Sequence, residues 1–110
     1  MEREALDKLR LEMRRGSIVL AVLAQLRDEH YAYSLRKSLL ERDISIDEGT
    51  LYPLVRRLEK QGLLTSEWRE EEKRNKRFYR LSDHGRTVFE QLRKDWEELN
   101  HSVRTLVQEK

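Results

Sequence analysis

Leu51, Leu54, Val55 and Leu58 recur at i, i+3, i+4 and i+7, a spacing that at about 100° per residue gathers them on one side of a helix. The other side carries Gly49, Pro53, Arg56, Arg57 and Lys60. Asp47 stands where an N-cap belongs, its carboxylate able to accept from first-turn backbone N–H groups, with Ile46 and Leu51 as a hydrophobic staple; Ser45 with Glu48 is a rival capping box. Pro53 has no N–H to give, so a distorted first turn is expected. Gly62 follows the last periodic residue, the position of a left-handed helix stop.

Upstream, Ala5, Leu6, Leu9 and Met13 predict a helix over 2–14 that Arg14, Arg15 and Gly16 end. Ser17 then caps a second helix, Ile18 to Leu26, which is apolar almost all round and is therefore expected to be the most buried. A third, Tyr31 to Leu40, turns Leu35, Leu39 and Leu40 inward and Arg36 and Lys37 outward. Downstream, Leu64 to Arg69 and Arg77 to Leu81 read as short strands around a polar turn, with Asn75 as the left-handed residue at its tip. Ser82 or Asp83 caps a last helix reaching about Val107. Its apolar residues Phe89, Leu92, Trp96, Leu99, Val103 and Leu106 are spaced 3, 4, 3, 4 and 3 apart, a narrow seam that serves partly the chain's own core and partly a second copy of the helix.

The length, 110 residues, fits one domain. With 37% hydrophobic and 40% charged residues, the composition suits elongated helices or a core completed by a partner chain. The net charge of +2 is small but unevenly placed: residues 48–80 hold nine Lys or Arg against six Asp or Glu, a local +3, whereas residues 1–47 balance at nine each. A basic segment of this kind permits nucleic-acid binding without requiring it. There are no cysteines, so thiol chemistry and thiolate metal sites are excluded. His30, His84 and His101 fall in separate elements without ligand spacing, no phosphate loop or catalytic constellation can be assembled, and no cofactor or enzymatic activity is expected. The longest apolar run, Ile18 to Ala24, falls well short of the ~20 residues that span a bilayer, and the charged N-terminus is unlike a signal peptide, so a cytoplasmic protein without membrane contact is expected.

A helix with a basic outer face followed by a hairpin with a basic tip is the order of a winged helix-turn-helix: mainly α, with a small β-hairpin wing. The stretches GTLYPLVRRLEKQGLL, SEWRE and RFYRLSDHGR resemble the PadR family of transcriptional regulators, and the likeness runs from about Arg15 to Val107. The resemblance implies a DNA-binding winged helix over residues 1–81, including the N-terminal helix, and a C-terminal dimerisation helix over residues 82–110. It also implies a homodimeric regulator, most often a repressor, relieved by a small effector or by a change at the dimer helix. Ala32 departs from the glycine usual in the family, followed by an aromatic that Tyr33 matches.

Within that frame Thr50, Tyr52 and Pro53 lie at the entry of the recognition helix, with Arg56 one turn on and Gly49 allowing close approach. Arg74, Lys76 and Arg77 are expected as wing contacts, and Tyr33 as a phosphate donor. The expected partners are an operator in double-stranded DNA, a second copy of the chain through Phe89, Leu92, Trp96, Leu99, Val103 and Leu106, and a small aromatic effector. Trp96 is either a filler of the dimer core or one wall of that effector's slot. Two rival readings stand beside this one: a winged-helix protein-interaction module that does not touch DNA, and a small-molecule binding protein built round Trp96.

Overall fold

A computed structural model describes residues 2–109, which form α1 (Glu2–Gln25), α2 (Ala32–Leu40), α3 (Glu48–Lys60), β1 (Leu64–Glu71), β2 (Arg74–Leu81) and α4 (Asp83–Gln108). One core joins them: Val22 and Leu23 from the end of α1 and Leu26 just past it, Leu35 and Leu39 from α2, Leu51, Leu54, Val55 and Leu58 from α3, Leu64, Tyr79 and Leu81 from the hairpin, and Phe89 from α4. The apolar stripe of α3 is thus fully inward. Leu40, expected inside, is exposed; it sits at the end of α2, where the chain turns away from the core.

The two N-terminal helices expected from the sequence are one. Gly16 does not break α1, and Ser17 continues the helix instead of capping a new one. A mid-helix glycine lowers helix stability by only about 1 kcal/mol relative to alanine, and nothing at Arg14 or Arg15 offers the backbone a competing stop. Only Val22 and Leu23 of α1 are fully buried, and the Arg14 guanidinium donates to the Ser45 carbonyl at 3.2 Å, tying the shaft of α1 to the turn before α3.

Asp47 is the cap of α3: its Oδ1 accepts from the Thr50 N–H at 3.1 Å, and Ile46 and Leu51 are both buried. The helix runs unbroken past Pro53. At the other end Gly62 adopts φ +80, its N–H donates to the Glu59 carbonyl at 2.9 Å and that of Leu63 to the Leu58 carbonyl at 3.0 Å, the paired bonds of a Schellman stop.

β1 and β2 pair antiparallel from Leu64↔Leu81 to Glu71↔Arg74. The turn is therefore Glu72–Lys73, not Asn75, which lies in β2 opposite Glu70. Both turn residues have positive φ, 53 and 66, as a two-residue turn matching the strand twist requires. At the root of the hairpin His30 forms a bridge with Tyr79, its N–H donating to the Tyr79 carbonyl at 3.0 Å and its carbonyl accepting from the Tyr79 N–H at 2.8 Å. The segment between α1 and α2 and the hairpin are thereby stitched together through main chain.

Ser82 caps α4, accepting from the Gly85 N–H at 2.9 Å. Beyond its first turns, where Gly85 and Phe89 are buried, α4 has no core in its own chain. It projects, and with α1 it stretches the molecule to 58 Å along its longest axis.

Candidate nucleic-acid interface

With Leu51, Leu54, Val55 and Leu58 anchored in the core, helical periodicity alone sends Gly49, Thr50, Tyr52, Pro53 and Arg56 outward, and all of them are exposed. The cap hydrogen bond from Thr50 and the nearby Arg36 guanidinium hold the Asp47 carboxyl below its usual range, so the cap stays ionised. Arg36 also pairs with Glu48 at 3.4 Å, joining α2 to the first turn of α3. The Arg56 guanidinium lies 5.8 Å from the centroid of the Tyr52 ring, a cation–π pair one turn apart that keeps the arginine along the exposed face. Tyr33, expected beside them, is exposed near the start of α2. Ala32 begins α2 with ordinary helical backbone, so the residue there needs none of glycine's freedom.

The wing is less simple than its run of cations implies. Arg77 donates through Nη2 to both carboxylate oxygens of Glu59, at 3.1 and 3.2 Å, and through Nε to the Ser66 hydroxyl at 2.9 Å; that hydroxyl donates in turn to Glu59. This triangle braces the last turn of α3 against both strands. Lys76 sits 4.4 Å from the centroid of the Tyr31 ring and 3.6 Å from Glu71, and its side chain is only 16% exposed. Adjacent strand residues point to opposite faces, so Lys76 and Arg77 lie on opposite faces of the hairpin, each with its charge paired within the chain. Of the expected wing contacts Arg74 alone is exposed; Lys73, at the turn itself, is exposed with it. Neither forms an ion pair among the described residues.

Arg69, which the sequence reading passed over, fixes the other face of the wing. It pairs with Glu29 and with Glu67 and lies 4.2 Å from the Phe78 ring centroid; the Glu29 contact first of all raises its already high pKa. Strand alternation could have found it, because Arg69, Glu67 and Phe78 fall on one face of the hairpin.

The residues assigned to the seam divide. Phe89 is 4% exposed and packed in its own chain's core beneath Arg27, so it is not free for a partner. Leu92, Trp96, Leu99, Val103 and Leu106 are all exposed, as are Leu6, Leu9, Leu11 and Met13 on α1. Among the described residues no cluster of three or more His, Cys, Asp or Glu could hold a metal, and no helix is long and apolar enough to cross a membrane.

A capped helix presenting one face, a hairpin braced at its end and a long helix leaving from the hairpin define a winged helix-turn-helix protein. The chain belongs to the PadR-like family of transcriptional regulators, whose profile matches residues 19–91. It is 36% identical, over 84% of its length and 87% of the relative's, to the transcriptional regulator Rv3488 of Mycobacterium tuberculosis. A PadR family transcriptional regulator from Eggerthella lenta superimposes with a TM-score of 0.89 at 40% identity, covering 99% of this chain and 97% of that one. A transcriptional regulator from Clostridium thermocellum does so with a TM-score of 0.78 at 28% identity, over 88% and 99%. The family and these relatives are regulators, not enzymes.

Proposed function

We propose that the protein is a homodimeric repressor that binds an operator in duplex DNA through α3 and the wing, and that a small effector at the dimer interface modulates this binding. The observation that carries the reading is the presentation of α3. Its four apolar residues lock it in the core, the Asp47 cap and the Glu59–Arg77 brace fix its two ends, and Thr50, Tyr52, Pro53 and Arg56 are left outside to meet base edges. Lys73 and Arg74 at the wing tip then reach the flanking backbone, and Tyr33 a phosphate beside α2.

Dimerisation is supported by the exposed apolar stripe from Leu92 to Leu106 on α4, which stands beside exposed leucines on α1. Two copies of Trp96, each 44% exposed in the single chain, would flank the two-fold axis and form the walls of an aromatic slot. A ligand there alters the distance between two recognition helices, which must match successive major grooves about 34 Å apart.

Selection of binding sequences from random duplex, followed by footprinting, tests the proposal. A recurrent two-fold symmetric site is expected, with Arg56→Ala relaxing discrimination at one position of each half-site. Recovery of no preferred sequence, with no duplex bound at low salt, would favour a protein-interaction module instead.

A further inference from the structure

α3 has two flanks as well as an outer face. Tyr52 and Glu59, two turns apart, look to one side, where Glu59 is held by Arg77 of β2 and Tyr52 shares a hollow with Ala32 of α2 and Tyr79 of β2. Thr50 and Arg57, also two turns apart, look to the other side, where they meet α1. Between these two helices runs an open groove of about 810 Å³, floored by Leu11, Ile18 and Val19 of α1 and by Leu54 of α3. The bond from Arg14 to the Ser45 carbonyl sets its register, so that the next residue, Arg15, stands level with the first turns of α3.

The groove is cationic and its cations are unspent. Arg15 on one wall and Arg57 on the other are both exposed, and neither guanidinium forms an ion pair or hydrogen bond among the described residues. Arg10 and Arg36, on the same pair of N-terminal helices, have by contrast found Asp7 and Glu48. No carboxylate lines the groove. Each wall also carries a glycine that the fold does not use. A Cβ at Gly16 would meet nothing within 4 Å, one at Gly49 would meet only the Asp47 carboxylate at 3.9 Å, and neither residue has a positive φ. Glycine weakens a helix relative to alanine, and here nothing inside the chain compensates; what bare backbone on both walls does provide is room for another molecule to come close.

We infer that this groove seats one phosphodiester strand of duplex DNA, with Arg15 and Arg57 each holding a backbone phosphate and the apolar floor meeting the sugars. Two unpaired guanidiniums with no acid between them complement a polyanion, and Gly49, Thr50 and Pro53 belong both to the groove and to the outer face of α3, so the two surfaces are continuous. A helix lying in a major groove has a strand on each side of it. The hairpin serves the strand on the Tyr52 side, and Arg15 and Arg57 are the cations offered to the strand on the Thr50 side. α1 is thereby a DNA-binding element as well as part of the core. The inference rests on the DNA-binding reading above.

Affinity of the full-length protein for random and selected duplex, measured over a range of salt, tests it. Arg15→Ala and Arg57→Ala, both at exposed helical positions where alanine keeps the fold, should each flatten the log–log slope by about 0.9 and weaken the two duplexes alike. Arg15→Lys, which keeps the charge, should keep the slope, and Arg10→Ala, on α1 but outside the groove, should change nothing. Ethylation of backbone phosphates in the selected duplex should interfere with the parent on both sides of α3; Arg15→Ala should erase the interference on one side and Arg74→Ala on the other. A steep parent slope that neither Arg15→Ala nor Arg57→Ala alters would overturn the clamp and leave DNA binding by α3 and the wing standing. Loss of the dimer in Arg15→Ala with an unchanged slope would also overturn it, making the groove a contact between copies. A parent that binds no duplex would overturn the clamp and the DNA-binding reading together.

Discussion

Replacing Gly85 by alanine should damage the protein far more than one methyl group suggests. A Cβ built at Gly85 lies 1.9 Å from the Leu63 carbonyl oxygen and 2.9 Å from its carbon, about 1.5 Å inside ordinary contact, and both atoms are main chain that no rotamer change can move. The same carbonyl accepts from the Ser82 N–H at 2.9 Å, and the Ser82 hydroxyl donates to the Gly62 carbonyl at 2.6 Å. The first turn of α4 is therefore seated directly on the chain leaving α3. Overpacking a core side chain costs about 1–3 kcal/mol, and a clash between two backbones stands at or above the top of that range. At roughly 4–8 °C per kcal/mol, the melting midpoint should fall by more than about 10 °C. Gly16→Ala is the matched control: nothing lies within 4 Å of a Cβ there, and in the middle of an exposed helix the change should stabilise by about 0.5–1 kcal/mol. Thermal melts of both variants beside the parent protein provide the assay. A Gly85→Ala protein melting within a few degrees of the parent would mean that α4 is not seated on Leu63, and the fixed angle between α3 and α4 would go with it.

Two further outcomes follow from side chains already described. Leu99, 64% exposed in the single chain, lies in the middle of the seam, so Leu99→Asp should yield monomers by sedimentation at concentrations where the parent is a dimer; a dimeric variant would remove α4 from the interface. Burial, the larger cause, lowers the pKa of His30 against the opposing pull of Asp28, so between pH 6.5 and the lower folded value the unfolded chain holds a proton that the folded one does not. Stability contributed by neutral His30 is thus complete above pH 6.5 and declines as the pH falls below it, and His30→Gln should flatten that decline; an unchanged pH profile would mean the imidazole is not desolvated at the hairpin root.

Much of this arrangement was legible in the sequence wherever a single local rule governed it. The stripe on α3, the Asp47 and Ser82 caps and the Gly62 stop each need only residues within a turn or two of one another, and all stand in the structure. Readings that depended on distant partners fared differently. Gly16 looked like a stop because a glycine between short periodic runs resembles one, yet the helix continues where no competing cap is formed. Asn75 looked like the turn because of its own left-handed tolerance, but pairing from Leu64↔Leu81 outward leaves Glu72 and Lys73 at the tip. Lys76 and Arg77 looked like phosphate contacts as members of a basic run. What commits them instead is Tyr31 with Glu71 and Glu59 with Ser66, and only the folded hairpin brings Tyr31, Glu59 and Ser66 to them. The groove between Arg15 and Arg57 had no local signature at all, since its walls come from two helices far apart in the chain.

The most direct test of DNA recognition by α3 and the wing is the salt dependence of affinity for the selected duplex, measured on the parent, Arg74→Ala and Lys76→Ala. The parent should lose affinity steeply as salt rises, because each neutralised phosphate releases counterions. Arg74→Ala should flatten the log–log slope by about 0.9 and weaken specific and random duplex alike, whereas Lys76→Ala, whose ammonium rests on Tyr31 and Glu71, should leave the slope nearly unchanged. An affinity indifferent to salt, or no binding of any duplex by the protein, would contradict the account.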